Sequence, residues 1–145
     1  MFERILLATD GSPDARTALA YARDLALRDG AQVIVVHAFK PVPTYLGDPW
    51  QGQIIVSNVA AAEQIADEAA QELQKAGLEP VVEVLEGPAA DAILRVAEVR
   101  QCDLIVMGCR GYSILTSLLV GSVSHRVLAH ARVPVLVVRA TQPAG

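Results

Sequence analysis

Five apolar runs of strand length, spaced by helix-like segments, limit what this 145-residue chain can fold into. They are Arg4–Thr9, Gln32–Ala38, Glu79–Glu86, Asp103–Met107 and Val133–Val138. Three of them are apolar on consecutive positions (Ile5-Leu6-Leu7-Ala8, Val33-Ile34-Val35-Val36, Leu104-Ile105-Val106-Met107), the pattern of strands covered on both faces. The third run is broken by Glu79, Glu83 and Glu86, which suits a strand near a sheet edge. Between the runs, Ser12-Pro13-Asp14 opens a helix that carries Ala15, Leu19, Ala22 and Leu25-Ala26 at helical spacing and stops near Asp29-Gly30. A second helix is expected from about Ser57 to Ala76. A third opens at Gly87-Pro88, with Ala92, Ile93, Val96, Ala97 and Val99 facing inward. A last one runs from Gly121-Ser122 to near Ala131-Arg132. Lys40–Gly52, with three prolines and two glycines, reads as a long loop.

Alternating strands and helices predict an α/β fold: one doubly wound, five-stranded parallel sheet with helices on both faces and strand order 3-2-1-4-5. The whole chain, residues 1–145, reads as a single domain without an internal repeat. In such a sheet ligands sit beyond the carboxyl ends of the strands, at the point where strand order reverses between strands one and four. The two segments meeting there are Ala8-Thr9-Asp10-Gly11-Ser12 and Met107-Gly108-Cys109-Arg110-Gly111.

Composition narrows the partners. A formal charge of −4 with no basic block argues against a large nucleic-acid footprint. Apolar residues make up 52% of the chain, yet Asp, Arg, Gly or Pro interrupts every apolar run before the ~20 residues a membrane helix needs. The N-terminus shows no apolar stretch followed by a small-residue cleavage site, so a cytoplasmic protein is expected. Cys102 and Cys109 lie at opposite ends of one strand, roughly 20 Å apart at strand rise. A disulfide tolerates about 7 Å between Cα atoms, so both are expected to stay as thiols.

The strand ending at Met107 runs into Gly108, Gly111, Gly121 and Ser122, spaced Gly-x2-Gly-x9-Gly-Ser. Glycines let main-chain amides approach an anion, and a helix start adds orphan N–H groups and a positive dipole end. No Gly-Lys-Ser/Thr follows, and Gly-x-Gly-x-x-Gly is absent, so neither a P-loop nor a dinucleotide fingerprint is present. A different phosphate cradle is expected.

With these residues in place the chain resembles the universal stress protein family, from Ile5-Leu6-Leu7-Ala8-Thr9-Asp10-Gly11-Ser12 to Val133-Pro134-Val135-Leu136-Val137-Val138. Its glycine spacing is that of the family's ATP-binding branch. The resemblance implies a Rossmann-like fold, bound ATP with Mg2+, and a stress-response regulator with at most slow hydrolysis. It implies that Asp10 bonds the ribose, that Ala8, Thr9 and Ala38 flank the adenine, and that Met107 packs near the base. Gly108, Gly111, Gly121, Ser122 and Val123 would hold the phosphates through main-chain amides and the serine hydroxyl, with Arg110 the one cation inside the loop. Cys109, Tyr112 and His125 depart from the residues usual in the family. A homodimer through the edge strand Val133–Val138 is also implied, since unpaired edge groups invite a partner.

Other readings of the same residues stand beside these. Asp10 could cap the first helix or bond the Ser12 amide. The glycines could form only a tight turn and a helix start, leaving a ligand-free interaction module. An ATP hydrolase or nucleotidyl-transfer enzyme of the same architecture is a further alternative, for which the loop offers only Arg110, Ser113, Thr116 and His125. A phosphoacceptor receiver domain is excluded: Asp10 stands without an acidic cluster, Glu86-Gly87 follows strand three, and Arg139 replaces the required lysine. His37, inside the second strand, reads as a hydrogen-bonded core residue, and His125 as a surface residue.

Overall fold

The computed structural model describes residues 1–40, 50–109 and 121–140, without the side chains of residues 50, 51 and 54–56. Its elements follow the order β1 (Arg4–Ala8), α1 (Pro13–Asp29), β2 (Gln32–Phe39), α2 (Trp50–Lys75), β3 (Val81–Glu86), α3 (Ala89–Val99), β4 (Leu104–Gly108), α4 (Ser122–His130) and β5 (Val135–Val138). The five strands form one parallel sheet in the order β3-β2-β1-β4-β5, as the sequence predicts.

Period-two alternation divides the core into two layers. Ile5, Leu7, Val33, Val35, Leu104 and Val106 face one side, where Ala18, Leu19, Ala22 and Ala26 of α1 and Ala69 and Leu73 of α2 cover them. Leu6, Ile34, Val36, Ile105 and Met107 face the other, under Ala90, Ile93, Val96 and Ala97 of α3 and Val127 of α4. β1, β2 and β4 therefore need apolar residues on both faces, which explains their unbroken runs. Truncating a wholly buried leucine such as Leu6 or Leu7 costs about 2–5 kcal/mol.

The ends of elements differ from expectation where proline and β-branched residues mislead. β3 begins at Val81 rather than Glu79, and β5 at Val135 rather than Val133. Pro80 and Pro134 lack the N–H a ladder needs, although the Pro134 carbonyl still accepts from the Ile105 amide at 3.0 Å. β1 stops at Ala8, short of Thr9, while β2 extends one residue to Phe39 and β4 one residue to Gly108. α2 starts at Trp50 instead of Ser57, so residues 50–52 belong to a helix and not to the expected loop; residues 41–49 lie outside the described residues. Val99 is 72% exposed rather than inward, because it ends α3 on the solvent side.

The amino-terminal rim of the sheet is tied by carboxylates. Asp103 accepts from the amides of Glu3 and Arg4 at 2.8 and 3.1 Å, and Asp29 accepts from Phe2 at 3.0 Å. The Phe2 N–H holds the Asp29 carboxyl below its ordinary range; burial opposes it, and Arg28 and the chain terminus assist. Beside Asp103, burial pushes the Cys102 thiol up to about 11, which keeps it an unreactive core residue. No disulfide joins it to Cys109, and both are buried. No helix among the described residues is long and apolar enough to cross a membrane.

Candidate functional site

The site lies at the carboxyl ends of β1, β2 and β4, where strand order reverses. A cavity of about 180 Å³ opens there. Ala8, Thr9 and Asp10 follow β1 into it, Ala38 comes from β2, and Met107 and Gly108 from β4. Gly121, Ser122 and Val123 close it from the start of α4. Nine residues singled out from sequence therefore meet at one cavity. The other two, Arg110 and Gly111, lie outside the described residues, as do Tyr112, Ser113 and Thr116.

Sequence reasoning missed Ser12, Ala15, Val36, Ala89, Ile93 and Ser124 as lining residues. A usable signal existed for two of them. Val36 precedes Ala38 by two and shares its strand face, and Ala89 follows the Gly87-Pro88 helix opening at the same end of the sheet.

The turn after β1 is built from its own side chains. Thr9 Oγ1 accepts from the Gly11 amide at 3.2 Å and Asp10 Oδ1 from the Ser12 amide at 2.9 Å. Gly11 sits at φ +78°, a conformation that side-chain-bearing residues avoid. Ser12 then caps α1, its Oγ accepting from Ala15 at 3.2 Å, with Pro13 opening the helix. Asp10 thus makes the local bond weighed from sequence while lining the cavity with the rest of its half-buried carboxylate.

Gly108 has a packing reason to be glycine. A Cβ there would come within 2.8 Å of Asp14 Cβ and 3.0 Å of the Ala15 nitrogen, so its missing side chain lets the first turn of α1 sit against β4. Asp14 also accepts from the Ala140 amide at 2.9 Å, joining the end of β5 to the same corner.

The start of α4 is pinned to the end of β4. The Gly121 amide donates to the Cys109 carbonyl at 2.9 Å. The Ser124 hydroxyl lies 2.8 Å from the Gly108 oxygen and 3.0 Å from the Cys109 oxygen, sharing its one hydrogen between them. Gly121 contributes no side-chain cap, and the first turn of α4 holds no acidic residue. The first intrahelical bond runs from His125 back to Gly121. Among the described residues no acceptor takes the N–H groups of Ser122, Val123 or Ser124. Three orphan donors and the positive end of the helix dipole therefore face the cavity, an arrangement suited to an anion. His125 is exposed, as expected.

β2 presents a second unfilled set of groups. Val36 accepts from the Thr9 amide at 3.0 Å, so its main-chain groups point toward β1, and those of Ala38, two residues on, point the same way. The next rung would run from the Ala38 N–H to the Thr9 carbonyl, and no such bond forms. His37 Nδ1 lies 2.8 Å from that carbonyl instead. As expected from sequence, His37 is a hydrogen-bonded core residue, 8% exposed, yet it also lines the cavity.

Among the described residues no group of three or more His, Cys, Asp or Glu is placed to hold a metal ion. An ion at this site would ride on a ligand's phosphates, as Mg2+ does when it keeps most of its waters.

The family model for the universal stress protein family matches residues 1–139. A Thermus aquaticus protein, described as a universal stress protein encoded in a QAH/OAS sulfhydrylase 3′ region, is 44% identical over 139 residues, covering 96% of this chain and 100% of that one. The solved structure of the protein MJ0577 matches with a TM-score of 0.87 at 25% identity, covering 99% of each chain. Universal stress proteins solved in complex with cAMP and, from Archaeoglobus fulgidus, with dAMP share the fold, with TM-scores of 0.76 and 0.71 at 23% identity. They cover 97% and 95% of this chain, and it covers 99% and 98% of theirs. An Arabidopsis thaliana member with AMP bound has a TM-score of 0.71 at 16% identity, the match covering 96% of this chain and 92% of that one. With the matched model spanning all five strands and both sides of the cavity, this chain belongs to the universal stress protein family.

Proposed function

We propose that this protein binds an adenine nucleotide, ATP carried with Mg2+, and acts as a stress-response regulator that hydrolyses it slowly or not at all. The observation that carries this reading is the meeting, in one cavity, of three N–H groups at α4 that find no acceptor among the described residues and an unfilled rung at Ala38. The Ala38 N–H and C=O offer a donor and an acceptor side by side, matching the ring nitrogen and exocyclic amine on one edge of adenine. Ala8, Val36, Ile93 and Met107 supply an apolar bed for the base, Asp10 stands where a ribose hydroxyl would donate, and α4 receives the phosphates. The adenine nucleotides carried by other members of the fold support the same class of ligand. In the regulatory reading, bound nucleotide alters contacts with a protein partner.

Hydrolysis needs a positioned base or water-orienting group near the terminal phosphate. Of the four residues the sequence offers for this, His125 lies within the described residues and is solvent-exposed. We further propose a homodimer through the outer edge of β5, whose inner edge pairs with β4, in a reducing cytoplasm that suits two buried thiols. Light scattering that reports a monomer at tens of micromolar overturns the dimer.

Calorimetric titration of ATP and Mg2+ into ligand-free protein tests the central reading. Saturable heat is expected, together with a thermal shift; ligand at 100 times Kd stabilises a fold by about 2.7 kcal/mol. Flat heats at several temperatures overturn it. Mass spectrometry of ligand released from fresh protein distinguishes ATP from AMP or a cyclic nucleotide.

A further inference from the structure

The bond between His37 and Thr9 does more than satisfy a core histidine. A carbonyl oxygen only accepts, so the Nδ1 atom 2.8 Å from the Thr9 oxygen must carry the hydrogen. That oxygen is the acceptor the next sheet rung would use, and Ala38 makes no bond to it. Thr9 is also the first residue of the turn that runs through Asp10, Gly11 and Ser12; its amide donates to Val36 of β2, and within the turn Gly11 bonds to Thr9, Ser12 to Asp10, and Arg16 Nε to the Gly11 oxygen at 3.3 Å. The imidazole thus adds a side-chain grip from β2 to the main-chain bond that already joins Val36 to this turn.

Resting on the nucleotide reading above, we propose that His37 is a positioning residue for the nucleoside end of the site. Its Nδ1–H fixes the Thr9 carbonyl, which holds the turn carrying Asp10 and diverts the acceptor that would otherwise close the Ala38 rung. One hydrogen bond therefore sets both polar anchors of the nucleoside, the Asp10 carboxylate and the unfilled Ala38 main-chain pair. His37 touches the protein, not the reacting or charged end of the ligand.

Three variants and one spectrum test this. Long-range 1H–15N NMR of the ligand-free protein reads the tautomer without any nucleotide: the Nδ1–H form is expected, and the Nε2–H form overturns the proposal whether or not ATP binds. In ATP titrations, His37→Leu is expected to weaken binding by about tenfold, the scale of one lost hydrogen bond and a loosened turn. His37→Asn, whose amide nitrogen can occupy the place of Nδ1, should restore affinity to within about threefold of the parent. His37→Gln, whose nitrogen reaches the place of Nε2 instead, should not. Should His37→Leu fail to fold, the Asn and Gln variants carry the comparison, and equal affinities for these two overturn the proposal. Leucine binding as tightly as histidine overturns it as well. A parent protein with the Nδ1–H tautomer that gives no heat with ATP refutes the nucleotide reading and, with it, the nucleoside-positioning role.

Discussion

Two helices begin at the same end of the sheet, yet the chain treats their starts in opposite ways. α1 is closed by its own residues: Ser12 caps it, Pro13 removes one donor, Asp14 places a carboxylate in the first turn, and Gly108 lets that turn press on β4. α4 starts at Gly121 with no side-chain cap and no acid in its first turn, although Ser124 and the Gly121 amide clamp it firmly to the end of β4. The difference separates a helix start that serves stability from one held rigid with its donors unfilled. A well-anchored start whose first three N–H groups find no acceptor among the described residues suits an anion.

The comparison can be broken by experiment, most severely at Gly108. Gly108→Ala should destabilise the fold by about 1–3 kcal/mol, because the atoms its Cβ would meet include main chain at Asp14 and Ala15 that cannot turn aside. Thermal unfolding checks this, and an unchanged midpoint would show that the α1 start is not tightly seated. Ser12→Ala should cost about 1 kcal/mol by urea unfolding, the usual loss for a helix cap. Ser122→Ala should change stability by less than about 0.5 kcal/mol, since Ser122 is exposed, while weakening ATP binding by about threefold to tenfold. Equal stability losses at Ser12 and Ser122 would erase the distinction between the two helix starts.

The smallest expected effect lies at the far rim and serves as a control. Asp29 has its carboxyl held low in the folded protein, chiefly by the Phe2 amide, so the folded state binds its proton less readily than the unfolded chain. Its contribution to stability is complete above the ordinary value of 3.8 and is lost as pH falls through the lower native value. Asp29→Asn should flatten the acid limb of the stability profile while leaving ATP binding at neutral pH unchanged. A change in nucleotide affinity would show that the two ends of the sheet communicate.

Much of this was legible before any coordinates. The unbroken apolar runs at Ile5–Ala8, Val33–Val36 and Leu104–Met107 announce doubly covered strands, and the structure has them in the predicted order. Nine of the eleven expected site residues line one cavity because the switch point of a parallel sheet is a topological consequence of strand order. Element ends were less legible. Gly52 and the β-branched Ile54-Ile55-Val56, all weak helix formers, hide the first two turns of α2. Pro80 and Pro134 trim two strands by an amount that depends on which neighbour needs the missing N–H.

By itself, the order of apolar runs, caps and glycines determined the architecture, the switch point and the set of residues that converge there, because strand and helix periodicity are local properties of a chain. Only the tertiary structure decided what each convergent residue does. Gly108 is glycine because α1 lies against it, Ser124 rather than Ser122 is the clamp, and His37 takes the carbonyl that would have closed the Ala38 rung. These assignments depend on distances between segments remote in sequence, and such distances are set by how the layers pack.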